Sequence, residues 1–322
     1  MQIQAKPEHI PFAKPFRIAR GARTHLEIVR VTITDGEQAV EAECTPYARY
    51  GEETASVLAQ IERVIPALAE LSAQQAKSEL QTLLPAGAAR NALDCALWSL
   101  IARQAGSQFP SPYFQLQPAL ETAMTVSIGT PQEMARQARD YVAQGATLLK
   151  VKLDADNIVS RVAATRDVAP DARIILDANE SWAGMDLPAL FDALAPLEIA
   201  MIEQPLPAGA DDALQCFVHR IPVCADESCH TRADLAHVRS RYEMINIKLD
   251  KTGGLTEALT LKEAAQQQGL AVMVGCMLGT SLAMRAALPI AQDAAVVDLD
   301  GPVLIGETGK DVLTYRDGQL IL

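Results

Sequence analysis

The chain has 322 residues, about half of them hydrophobic, and a formal net charge of −12. That length can bury a large core and suits two structural units. The acidic balance argues against nucleic acid, whose phosphates would repel it. No apolar run reaches membrane-spanning length and no basic-then-apolar leader opens the chain, so neither a membrane nor a secretory segment is expected.

Three strands are expected first, over 1–4, 27–34 and 39–44, with Asp35-Gly36 as the turn between the last two. Three amphipathic helices follow, over 56–71, 72–84 and 86–105, and Ser72 with Gln75 reads as a capping box for the second. Strands followed by helices make an α+β unit, residues 1–118, ending at a Pro/Gln-rich stretch over 109–118.

Eight short apolar, β-branched runs then recur near residues 124, 149, 175, 201, 223, 246, 273 and 297. The spacing of roughly 22–28 residues is one strand, one helix and two loops. Continuous apolar runs of this length read as strands buried on both faces. The intervening segments are helical in pattern: 131–143 opens on Pro131, and 255–269 ends on Gly269. An open doubly wound sheet is the alternative, but active groups from so many strand ends need a closed ring. The expectation is a (β/α)7β-type TIM barrel over 119–302 beneath an N-terminal α+β capping domain. No good helix follows Asp300, and Asp317-Gly318 signals a hairpin in the tail, 303–322, which is expected to rejoin the cap.

Charged residues close several of these runs. Asp177 ends RIILD, Glu203 ends IAMIE and Asp226 ends IPVCAD; Lys152 closes LLKVK and Lys248 closes MINIK. A parallel barrel gathers the C-terminal ends of its strands around one mouth, so these groups should converge there. Three carboxylates suit a hard divalent cation, Mg²⁺ before a transition metal, and Asn179 can point to the same side as Asp177. Lys150 and Lys152, two apart on one strand, share a face that must be the mouth, because an apolar interior would not tolerate two ammonium groups. Close cations and partial desolvation both depress a lysine pKa, which is how a lysine becomes a base near neutral pH. Lys248 lies four strands on, across the ring. A base on each side of a substrate suits inversion at carbon, and a cation on the substrate's carboxylate neutralises the charge that develops when an α-proton leaves.

The five histidines are not expected to cluster, so a zinc site is not expected. The six cysteines (44, 95, 216, 224, 229, 276) show no CxxC pair and mostly sit in apolar runs, which suits a reduced cytoplasm.

The KxK of Lys150–Lys152, Asp177, Glu203 in EQP, Asp226 in ADES and Lys248 in NIKLDKTGG resemble the enolase superfamily, muconate lactonizing enzyme subgroup. The resemblance covers the whole chain, including a barrel that lacks a full eighth helix. It implies one Mg²⁺ per subunit on Asp177, Glu203 and Asp226. It also implies paired bases in Lys152 and Lys248, and an ene-diolate chemistry known of that superfamily. Lys150 would assist at the substrate carboxylate and tune Lys152.

Asp298-Leu299-Asp300 places two carboxylates on one face of the last strand, and they need a cation. The free ammonium of a dipeptide would serve, and this DxD resembles the dipeptide epimerases, in particular those that interconvert L-Ala-D-Glu and L-Ala-L-Glu. Thr125 and Cys276 would touch the peptide backbone, with Met277 as a wall. A glutamate side chain needs a cationic partner, and of Arg20 and Arg23 in IARGART, Arg20 is taken. IARGART and YARY (47–50), each with a glycine in or beside it (Gly21, Gly51), read as lid loops.

The reading is therefore a cytoplasmic dipeptide epimerase of murein peptide recycling. Its partner is a small dipeptide, with neither nucleic acid nor membrane, and a homo-oligomer is compatible with the sequence. Alternatives are o-succinylbenzoate synthase, N-acylamino acid racemase or muconate cycloisomerase chemistry. More distant ones are a silent metal-binding scaffold and a Schiff-base aldolase.

Overall fold

The structure, a computed structural model, describes residues 1–18, 21–107, 109 and 116–322. Arg20, and residues 110–115 of the Pro/Gln-rich boundary, lie outside the described residues. The chain opens with β1 (Gln2–Ile18), β2 (Gly21–Asp35) and β3 (Gln38–Cys44), an antiparallel sheet in the order β1-β2-β3. The first two strands are far longer than expected, and their pairing extends into the IARGART segment as far as Ile18 and Gly21. Pro7, Pro11 and Pro15 are uncommon within a strand. β1 is an edge strand, where a missing N–H is tolerated, and its register shifts between Pro11 and Phe16.

Helices α1 (Thr54–Ala69), α2 (Ala73–Leu83) and α3 (Ala88–Gln104) follow. Ser72 and Gln75 cap α2 reciprocally, as expected. α3 is buried on almost every face, the mark of a helix between two layers: the cap sheet lies on one side and the barrel on the other.

The barrel strands are β5 (Met124–Val126), β6 (Leu148–Lys152), β7 (Arg173–Asp177), β8 (Ile199–Glu203), β9 (Val223–Ala225), β10 (Met244–Ile247), β11 (Ala271–Gly275) and β12 (Val296–Asp298), preceded by the short β4 (Ala119–Glu121). All are parallel and in sequence order from β5 to β12. The amide of Ala123 donates to Val297 O at 2.8 Å, and Thr122 Oγ1 accepts from the Leu299 amide at 3.0 Å; these contacts close the ring between its first and last strands. The open-sheet alternative is thereby excluded.

One layer fills the lower interior. Ala123, Leu148, Ile175, Met201, Cys224, Met244, Met273 and Val296 pack together, one from each strand. Side chains on a strand return to the same face every second residue. The layer above is therefore fixed: Thr125, Lys150, Asp177, Glu203, Asp226, Asn246, Gly275 and Asp298.

After β12 only the short helix Gly301–Ile305 forms, and it packs against β1. The tail was expected on the cap. Its hairpin, β13 (Thr314–Arg316) and β14 (Gln319–Ile321), pairs instead with β4 in a separate sheet below the barrel. Among the described residues no helix is long and apolar enough to cross a membrane.

Buried acids seam the cap to the barrel. Glu43 of β3 accepts from the amide and hydroxyl of Thr280, and Asp94 of α3 from those of Thr256. Asp250, just past β10, accepts from the Thr45 amide and from Asn91 of α3. Gly253 and Gly254 let α3 approach: a Cβ on Gly254 would lie 2.4 Å from Asp94, and both glycines have positive φ.

Burial, with the hydrogen bonds of Asn91 and Thr45 opposing it and the charges of Glu52 and Glu43 adding to it, pushes the Asp250 carboxyl up to about 7. A raised folded pKa means that the native state holds this proton more tightly. The stability it confers is present below about pH 4 and lost as pH rises through about 7. Asp250→Asn should therefore gain on the native chain by roughly 1–4 kcal/mol between pH 5 and 8, read from urea midpoints; a pH-independent difference would overturn this.

Candidate active site

The polar layer is dominated by charge: four acids and one lysine, all essentially withdrawn from water. Lys150 Nζ lies 2.7 Å from Asp298 Oδ2, 2.7 Å from Glu203 Oε2 and 3.1 Å from Asp177 Oδ2. One step higher on the same strand, Lys152 Nζ lies 2.6 Å from Asp177 Oδ2 and 3.4 Å from Asn179 Oδ1. Across the ring, Lys248 Nζ donates to Asp226 Oδ2 at 2.7 Å.

These pairs set the ionisation. Burial would lower Lys150, but Asp298, Glu203 and Asp177 overcome it and hold its ammonium well above the ordinary range. Burial likewise opposes, and Asp226 and Glu203 outweigh it at, Lys248, whose pKa is raised. The expectation that crowding lowers a lysine is corrected for Lys150, and Lys248 is raised as well: the carboxylates around each outnumber the neighbouring cations. Burial raises Asp177 and Asp226, yet Lys152 and Lys150 at the first, and Lys248 and Lys251 at the second, bring both below the carboxylate range. Glu203 is raised, by burial and then by the charge of Asp177.

Sequence reasoning missed several supports. Asn246 Nδ2 donates to Glu203 Oε1 at 2.7 Å. Its signal was present, since Asn246 is two residues before Lys248 on the same face. Fully buried Lys251 donates to the carbonyls of Asp226, Cys229 and Asn246, and lies 2.8 Å from Asp226 Oδ1. Gln204 accepts from the Asp226 amide at 2.8 Å with a left-handed φ of 36°. Asn179 and Glu180 also have positive φ. Such backbone costs of order 1–3 kcal/mol each and here directly follows Asp177 and Glu203.

Thr125, Lys150, Lys152, Asp226, Lys248, Cys276, Met277, Asp298 and Asp300 line one cavity, as expected, and Asp177 and Glu203 lie buried beneath it. Thr45, Tyr47 and Tyr50 roof it from the cap. Arg49 of that roof makes a bidentate pair with Glu180 at 2.8 and 2.9 Å. Asp300 Oδ2 accepts from the Thr125 amide at 2.7 Å, so it also helps to close the ring; burial and then the charge of Asp298 push its carboxyl up to about 7. Arg20 lies outside the described residues.

The donor set fits a hard cation. Glu203 Oε2 and Asp226 Oδ1 are buried without a well-directed hydrogen bond, held only by nearby ammonium groups, and every donor is oxygen.

Two family descriptions match the chain: "Mandelate racemase / muconate lactonizing enzyme, N-terminal domain" over residues 2–109, and "Enolase C-terminal domain-like" over residues 133–322. The chain is 50% identical over 321 residues to the L-Ala-D/L-Glu epimerase of Escherichia coli (strain K12), covering 99% of each chain. It is 44% identical to an N-acetyl-D-glutamate racemase of a Pseudoalteromonas species, covering 91% of this chain and 92% of that one. A crystal structure of an enolase family member from Agrobacterium tumefaciens, described as homologous to dipeptide epimerases and holding sodium and L-Ala-L-Glu, superposes with a TM-score of 0.94. It is 44% identical, over 99% of this chain and 97% of that one.

The Gly275–Asn246 contact can be tested directly. A Cβ on Gly275 would lie 2.7 Å from Asn246 Oδ1 and 2.8 Å from its Nδ2. Gly275→Ala should cost about 1–3 kcal/mol in urea unfolding, and much of that loss should vanish in an Asn246→Ala background. Additive losses would show that the two positions do not interact.

Proposed function

The chain belongs to the enolase superfamily, and we propose that within it this protein is an Mg²⁺-dependent dipeptide epimerase that interconverts L-Ala-D-Glu and L-Ala-L-Glu. The observation that carries the chemistry is a pair of lysines, Lys152 on β6 and Lys248 after β10, on opposite sides of one cavity over three buried carboxylates. Asp177, Glu203 and Asp226 would hold the ion. When bound, it supplies the positive charge that steadies a carboxylate whose α-carbon is losing a proton.

The chain's own residues do the rest. One lysine takes the glutamyl α-proton and the lysine across the ring delivers a proton to the opposite face, so configuration inverts without the substrate turning over. Lys248 is held charged by Asp226, a carboxylate that would turn to the cation, and as that pairing loosens its amine becomes available as a base. Lys150 stays among Asp298, Glu203 and Asp177 as a fixed positive charge beside the substrate carboxylate. The dipeptide assignment rests on Asp298, whose Oδ1 is buried without a hydrogen bond and lines the cavity, an acceptor suited to a substrate ammonium. Thr125 and Cys276 would flank the peptide. Six unpaired cysteines support a reducing compartment, and recycling of wall peptides is the role that the family resemblance implies.

Proton NMR of L-Ala-L-Glu in D₂O should show loss of the glutamyl α-proton and growth of the second diastereomer with enzyme and Mg²⁺, and neither with EDTA. Lys152→Ala and Lys248→Ala should each lower epimerisation by ~10²–10⁴-fold, while each still exchanges the α-proton of one diastereomer only. A variant that keeps full epimerisation would remove that lysine from the mechanism. Asp298→Asn should raise KM for the dipeptide by roughly 10–100-fold and weaken an N-acylated glutamate far less, because the acylated nitrogen carries no charge and only the shared Lys150 contact is disturbed. Equal losses on both substrates would sink the ammonium assignment.

A further inference from the structure

We propose that the exposed face of the β1–β2 hairpin carries a second metal site, for one divalent transition-metal ion such as Zn²⁺, ligated by His9, His25 and Glu27. Along the sequence these residues are far apart. The hairpin register places His9 opposite Glu27 and Pro11 opposite His25, so all three side chains project from one face of adjacent strands. One donor atom from each lies within 4.8 Å of the others. The two imidazoles stack at 4.3 Å between centroids and 18° between planes, so the rings are already adjacent and a modest turn about their side-chain torsions would direct one nitrogen of each to a shared ion.

The chemistry of the set differs from that of the barrel. Two imidazoles and a carboxylate suit Zn²⁺, Ni²⁺ or Cu²⁺ and discriminate against Mg²⁺, whereas the barrel offers oxygens alone. Three protein ligands leave a fourth position for water, as in open zinc sites. Partial support behind the ligands is present. Thr54 donates to Glu27 Oε2 at 3.0 Å, leaving the other oxygen, and the Thr24 hydroxyl lies 3.4 Å from His25 Nδ1, leaving Nε2. The three other histidines are engaged elsewhere: His219 with Glu243, His237 with Asp211, and His230 against the Tyr50 ring. A bound ion would tie β1 to β2 just below the register shift between Pro11 and Phe16.

The test uses the full chain, saturated with Mg²⁺ and labelled with ¹⁵N in its five histidines. One equivalent of Zn²⁺ should move the imidazole signals of His9 and His25 and leave those of His219, His230 and His237 in place. His9→Ala and His25→Ala should each weaken the ion by about tenfold or more, and Glu27→Gln should weaken it less than either. These positions are exposed, so fold and Mg²⁺-dependent exchange of substrate should be preserved in all three variants. The proposal fails if His9 and His25 do not respond at millimolar Zn²⁺, if the responding signals belong to the other histidines, or if the response persists in the His9→Ala, His25→Ala double variant. Loss of α-proton exchange in the native chain would instead count against the barrel reading and leave the hairpin site untouched.

Discussion

Eight strands in parallel register, each turning one side chain in two towards the barrel axis, fix everything else in this protein. Once the lower layer is apolar, the next residue inward on every strand arrives at one level. That level holds Lys150, Asp177, Glu203, Asp226 and Asp298. Taking so many charges out of water costs several kcal/mol per ion unless each finds a partner, and removing one partner strands the other. Lys150, within 3.1 Å of three different acids, is therefore as structural as it is chemical. The apolar layer is what makes it so, because it denies these groups any water from below.

The cap follows from the same constraint. A mouth lined with charge cannot be closed by an apolar lid without stranding polar groups, and the seam between cap and barrel uses acids that accept backbone and hydroxyl donors. α3 bears on the turn after Lys248 through Arg90, which donates to the carbonyls of Thr252 and Gly253, and through Asn91 on Asp250. Lys248, just past β10, thus stands beside a turn held by the cap. The cap both roofs the cavity through Tyr47 and Tyr50 and buttresses one wall of the chemistry.

Legibility in the sequence divides along the same physical line. Strand positions and strand-end charges were readable because both follow a period that a linear chain displays: the runs at 149, 175 and 201 end on Lys152, Asp177 and Glu203. Asn246 was equally readable by the period, two residues before Lys248 on the same face. Lys251 was not readable, since a lysine on the turn after a strand looks solvated until its three carbonyl partners fold around it. The length of β1 was masked by its prolines, which only edge placement reconciles with a strand. His9 and His25 lie sixteen positions apart, and only antiparallel pairing brings their rings together.

The lysines expose the tension on which this site is built. An ammonium and a hard cation compete for the same carboxylate oxygens: Lys152 occupies Asp177, and Lys248 and Lys251 both reach Asp226. The lysines therefore satisfy the buried acids when no other cation does, and the fold tolerates a strongly acidic centre without unfolding around it. Charge balance then couples the two states of the site. A carboxylate that turned to a metal ion would hold its lysine protonated less firmly, and that lysine would then be available as the base of the proposed reaction. Lys251 lies outside this exchange because three carbonyl oxygens hold it in place whatever Asp226 does. It keeps the Asp226 loop fixed, while Lys248, paired with the Asp226 carboxylate, would be the group able to change its protonation.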